Sequence, residues 1–409
     1  MNSSYEQKHP LYAASFTKRR KAMDLYEGGE RIEGNRAYLT RHTYESDKQY
    51  DIRASRATYR NFAAPIVDVF ASFINEGRPE RILPDALRPI EADADRYGMT
   101  ADAFFADVTR LAAAGGARFV IVDMEQKKGE TVAEDRASGR RMVPYFTSIS
   151  PDDVWDWGMD AKGLAWAVVH SEEMEHPAAF AAPLRYETLT VWTRDSWTRY
   201  HRPMKDKENT EYAIAEDGER KHGLGAVPLV PFLFEPTSPM TGLPATDDVL
   251  SLILRIYRRD SELDKMLFDR AVPLLNVGGV SQEHWDTFVV ASSNALMSTE
   301  PGGITAQYVE PVRHRVSGAG RSPCPRRGQR AGNRPSYGPS AIRRGRVRRV
   351  QGHRQNTARH AACQLRPAQR QRAEALCWKL AARWLGAKED GSEATVKIKG
   401  QTPAKEGQG

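Results

Sequence analysis

Cysteine is scarce in this chain: three residues in 409, Cys324, Cys363 and Cys377, with none before residue 324. Spacing that wide offers neither a disulfide framework nor a zinc site. Long apolar runs are also lacking. None approaches the roughly 18 to 20 residues that span a bilayer. The start, MNSSYEQKHP, has no basic-then-apolar leader pattern, so the expectation is assembly in a cytoplasm with no membrane partner. No GxxxxGK[ST] loop is present to cradle nucleotide phosphates, and there is no GxSxG elbow. Finally, one segment lacks acids altogether. From Pro311 to Ala373 there are 17 arginines and no lysine, aspartate or glutamate, so a chain of net charge +7 is −10 outside that segment.

What is present reads as a globular protein of two or three subdomains, with 40% hydrophobic, 9% aromatic and 28% charged residues. The stretch from Ala226 to Val280 organises it. Val227, Leu229, Val230, Phe232, Leu233 and Phe234 form a buried-strand signal cut by Pro228 and Pro231, which suits a sheet edge. After a Pro and Gly loop, Thr246 is a helix cap candidate, Asp247 and Asp248 suit a first turn, and Pro273 stops the helix. Val249, Ile253, Ile256, Leu263 and Leu267 would make its apolar face, with Arg255, Arg258, Arg259, Glu262, Asp264 and Lys265 opposite.

Upstream, residues 5 to 76 read as mainly helical. A basic helix carries Tyr12, Phe16 and Met23 to Tyr26 and ends at Gly28-Gly29. A second run, with Tyr59, Phe62, Ile66, Val69, Phe70 and Phe73 as core, is interrupted by Pro65. Residues 78 to 93, with three prolines, read as an extended connector. Thr100 caps a helix with Phe104, Phe105, Val108 and Leu111 inward; Gly115-Gly116 ends it, and RFVIVD comes next as a buried strand. From Val143 to Phe234 the pattern becomes short antiparallel strands rich in tryptophan, with Pro203 to Gly225 as a polar excursion from the body. The fold class expected is α+β.

Candidate sites are few. Asp152, Asp153, Asp156 and Asp160, together with His170 and His176 around Glu172, Glu173 and Glu175, invite a metal-dependent enzyme reading. The spacing matches neither HExxH nor a calcium loop, and turn, cap and solvated-edge roles explain the residues better. No catalytic, cofactor or metal residue is nominated.

The order of several pieces resembles a family. HPLYA at His9 to Ala13, DLYEGG at Asp24 to Gly29, Tyr38-Leu39, NFAAPIVDVFASFINEG, and GGARFVIVD at Gly115 to Asp123 come first. VPLVPF, the long helix with RRDSELDKMLF, PLLNVGG, and YVEP at Tyr308 to Pro311 come after them. Together, over residues 9 to 311, they resemble a divergent branch of the portal proteins of tailed phages. The resemblance implies a non-enzymatic virion protein, a homo-oligomeric ring of twelve copies at one capsid vertex. Double-stranded DNA would pass through its tunnel, and a packaging motor, capsid and neck proteins would dock on it. It divides the chain into a helical wing part (1–99), a β-rich subdomain (100–245) whose excursion 203–225 lies near the clip, the long helix and last strand (246–311), the arginine-rich segment (312–373), and a short helix with a polar tail (374–409). A net charge of −10 suits a tunnel through which DNA slides without being gripped.

The arginine-rich segment admits two readings. It has one Leu, one Ile and no Phe or Trp, too little apolar surface to offset the entropy of ordering. As a genuine arm it would neutralise nucleic-acid phosphates, with Arg343, Arg344, Arg346, Arg348 and Arg349 as contacts, which makes a nucleic-acid-binding protein the alternative function. Alternatively, Arg without Lys, mixed with Pro, Gly, Ala and Gln, is what a GC-rich gene yields out of frame. Two compensating shifts near codons 312 and 372 would account for the abrupt return of helical pattern in AEALCWKLAARWLG, with Ala375, Leu376, Leu380, Trp384 and Leu385 on one face.

Overall fold

The computed structural model describes residues 5–43, 45–76, 79–125, 134, 142–206, 211–271, 274–278, 305–309, 368–386 and 397–399. Its helices are α1 (Pro10–Glu27), α2 (Asp47–Arg56), α3 (Ala63–Asn75), α4 (Arg88–Ala92), α5 (Ala101–Gly115), α6 (Leu250–Ala271) and α7 (368–384). Its strands are β1 (Glu80–Ile82), β2 (Ala117–Asp123), β3 (Tyr145–Ile149), β4 (Val154–Asp160), β5 (Gly163–Glu175), β6 (Leu184–Thr193), β7 (Ser196–Pro203), β8 (Ala213–Lys221), β9 (Leu229–Leu233), β10 (Glu235–Pro236), β11 (Gly242–Leu243), β12 (Leu274–Gly278), β13 (Thr305–Val309) and β14 (Lys397–Lys399). The class is α+β, with every described strand pair antiparallel. None of the described helices is long and apolar enough to cross a membrane. Two compact units divide the chain: Met1–Ile32 with Tyr59–Leu254 and Arg348–Gly409, and Glu33–Thr58 with Arg255–Val347.

The larger unit is built on β2. It is the middle strand of a sheet ordered β3-β2-β9, and it is buried on both faces, which is why RFVIVD is apolar almost throughout. Val120 and Val122 point into a core with Phe104 and Phe105 of α5, Phe146, and Trp378 of α7. Ala117, Phe119 and Ile121 point into a second core with Tyr12 and the tryptophans of the sheet β4-β5-β6-β7-β8. β9 is an edge in this sheet, as its proline requires: Pro231 sits opposite Phe119. Thr100 caps α5 by accepting the Ala103 N–H, and Gly116, at φ +88, closes it. A side chain at Gly116 would collide with the Gly242 carbonyl, so here glycine serves both the left-handed turn and a backbone crossing.

The smaller unit holds α2, the greater part of α6, and the β12–β13 pair. Ser46 and Gln49 form a capping box at the start of α2. Arg53 of α2 is enclosed by Glu45 (2.7 and 2.8 Å), the Thr40 carbonyl (2.9 Å) and the Ser261 hydroxyl of α6 (3.3 Å). One turn before Ser261, the Tyr257 hydroxyl accepts the Gly34 N–H at 3.3 Å.

Several expectations are corrected. Pro65 does not interrupt a helix: the break falls at residues 57–62, and Pro65 lies in the first turn of α3, where a missing N–H is harmless. Of the residues taken as core there, Tyr59 is buried, but Phe62, Val69 and Phe73 are exposed. Residues 78 to 93 are not simply extended, since β1, a 3-10 turn at Asp85–Leu87 and α4 occupy them, with Pro89 tolerated at the helix start. Thr246 makes no side-chain cap; a 3-10 turn at Asp247–Val249 leads into α6. That helix buries Leu250, Ile253, Leu254, Tyr257 and Ser261, and leaves Leu263 and Leu267 exposed, because apolar residues recur at helical spacing on two of its faces. The excursion 203–225 contributes β8, which pairs with β7 in the large sheet. Helix α7 starts at 368, inside the arginine-rich stretch, and its buried side is Ala373, Glu374, Cys377, Trp378 and Ala381, with Leu376 and Leu385 outside. Part of the tail pairs as well, β14 lying against β1. Residues 281–304 and 312–367 lie outside the described residues.

Candidate functional site

The aspartates and histidines that invite a metal are dispersed to separate partners. Asp152 binds Arg19 of α1 at 2.8 and 3.2 Å, and its carbonyl accepts the Tyr12 hydroxyl at 3.0 Å. The Asp153 carbonyl accepts the His170 N–H, and Asp156 accepts the Trp157 N–H. Asp160 is held by both terminal nitrogens of Arg194, at 2.6 and 2.7 Å, and by the Lys162 N–H; the arginine hydrogen bonds bring its carboxyl down to about 2. His176 is exposed. Among the described residues, no three His, Cys, Asp or Glu side chains converge as a metal site would require.

What the fold does bring together is a chain of charges through the large sheet. Glu187 of β6 and Arg202 of β7 are register partners and bond at 2.6 Å, with side chains 4% and 5% exposed. Arg202 reaches on to Glu6 at 2.7 Å, and Glu187 to the His170 Nε2 at 3.2 Å. On its other side the His170 Nδ1 lies 3.8 Å from Asp153, and the ring stacks on Trp155 at 4.3 Å. Burial, and then Glu187, push the neighbouring Tyr212 phenol well above its usual range. Separate segments supply these groups, so no local motif announces them. The available signal is a charge at an inward strand position, Glu187 in YETLTVW and Arg202 in TRYHRP. Buried at Glu187 and Arg202 and reaching the surface at Glu6 and Asp153, the network fixes strand register and ties the N-terminal segment to the sheet.

Among the described residues, the larger unit also has a groove of about 240 Å³ beside the edge strand β9. Ile74 of α3, Ala112 of α5, and Pro231 and Leu233 of β9 form its apolar walls, and the first turns of α7 close it with Arg370 and Leu376. The arginines proposed to contact phosphate, Arg343, Arg344, Arg346, Arg348 and Arg349, lie outside the described residues.

No family model matches the chain, and no curated protein is similar to it. Among solved structures it is similar to a chain in the neck of a native gene transfer agent particle computed with C12 symmetry (12% identity, TM-score 0.30, 68% of this chain and 65% of that one). It is also similar to a chain in the neck of the empty particle computed with C6 symmetry (13%, 0.29, 61% and 58%) and to one in the virion of the native particle (12%, 0.30, 72% and 67%). It therefore spans 65% and 58% of the first two chains. Likeness at this level decides neither fold nor role.

Proposed function

We propose that this chain is a portal-like structural subunit of a tailed-phage type of particle. It forms a closed ring at one capsid vertex, through which double-stranded DNA is packaged and ejected, and on which motor, capsid and neck proteins dock. The observation that carries this reading is the order of sequence pieces over residues 9 to 311. The elements those pieces form support it: VPLVPF supplies the edge strand β9, RRDSELDKMLF lies within the 22-residue α6, and PLLNVGG and YVEP supply the paired strands β12 and β13. Electrostatics agree, since a net charge of −10 outside the arginine-rich segment disfavours a strong overall grip on a sliding polyanion. On this reading the role is non-catalytic, in keeping with Asp152, Asp160 and His170 being engaged in ion pairs. Ring contacts are heterologous, one face of each copy meeting a different face of the next. Light scattering of the purified chain tests this, with a closed assembly of about twelve chain masses expected and a monomer at micromolar concentration counting against it.

A further inference from the structure

Helix α7 is sound at one end and faulty at the other. From Ala373 onward its core side is apolar apart from Glu374: Cys377 and Trp378 are fully buried, and Trp378 meets Phe146 edge-on at 5.2 Å. Glu374, also fully buried, is held by Arg81 at 2.7 Å. One turn earlier, Arg370 occupies the same face, 9% exposed. Its Nε has no hydrogen-bond partner, and its terminal nitrogen stops 3.7 Å from the Glu374 Oε2, too far for a hydrogen bond, while Arg81 holds the other oxygen of that carboxylate. Burial pulls its guanidinium below the ordinary arginine range, and Arg81 adds repulsion. An under-paired cation costs more in such a place than any neutral side chain. Beside it the groove stays open, and Leu376, whose own preceding turn is Arg372, is 50% exposed at its rim.

The sequence fault and the structural fault coincide. Arg370 and Arg372 are the last two of the 17 arginines in the acid-free segment, and Glu374 is the first acid after it. We infer that the natural reading frame returns inside α7, between Arg372 and Glu374, and that the natural protein carries apolar side chains at 370 and 372 that fill the groove and cover Leu376. The groove is then the vacated seat of the helix's own first turns, and a free ligand has no part in it. This holds whether or not the chain forms a ring.

Two measurements test it. Sequencing the gene from its source DNA across codons 305 to 380 should reveal two compensating insertions or deletions, the second within codons 370 to 374, with apolar codons restored at 370 and 372. In the full chain as it stands, Arg370→Leu should raise the melting temperature by about 2–4 °C, because Arg81 continues to hold Glu374. An unbroken frame that encodes Arg370 overturns the inference. So does a lowered melting temperature, which would make Arg370 a working partner of Glu374.

Discussion

Glu187 and Arg202 show how much a single position decides here. Each is almost wholly buried, so neither charge has water to fall back on. Arg202→Met takes away the guanidinium that faces Glu187 and is expected to destabilise the protein by about 3–5 kcal/mol in urea unfolding. The double variant Glu187→Gln with Arg202→Met should lose clearly less, since no charge is then stranded. Glu45 gives a pH-dependent counterpart in the smaller unit. The Arg53 hydrogen bond lowers its carboxyl from 4.5 to about 2. A carboxyl depressed on folding stabilises the protein above its ordinary value, and the contribution is lost as pH falls through the folded one. The urea midpoint should therefore decline between pH 4.5 and 2 by the equivalent of about 1–3 kcal/mol, and Glu45→Gln should flatten that slope.

Among the elements, α7 supplies the last wall of a core. Trp378 touches both Phe105 and Phe146, and the Trp384 indole donates to the Val122 carbonyl of β2 at 2.9 Å. Trp378→Ala should cost about 3–5 kcal/mol, read as a lower thermal midpoint and greater dye binding. Such elements differ in how legible they are. β2 was plain in the sequence because both of its faces are buried, which removes alternation. α5 was plain because Thr100 and Gly116 mark its two ends. In α6 and α7 the presence of a helix was readable but its inward face was not: leucines at helical spacing fall on two sides, and Tyr257 and Ser261, or Cys377 and Trp378, are the ones covered. The division between α2 and α3 was hidden because Pro65 sits where a helix start tolerates it. The ionic network left only the faint signal of a charge at an inward strand position, since Glu6, Asp153, His170, Glu187 and Arg202 meet only once the sheet has formed.

For the molecule as a whole, charge and architecture point the same way. Two cores share one central strand, the larger sheet is locked by buried ion pairs, and the acidic balance outside residues 311–373 is unsuited to gripping DNA. They are compatible with the proposed role of a framework that packs against its own copies. The most direct measurement is electron microscopy of the chain with its natural frame restored across residues 312–373. Annular top views with a central channel are predicted. Fields of isolated single particles at the same concentration, with no rings, would contradict the account.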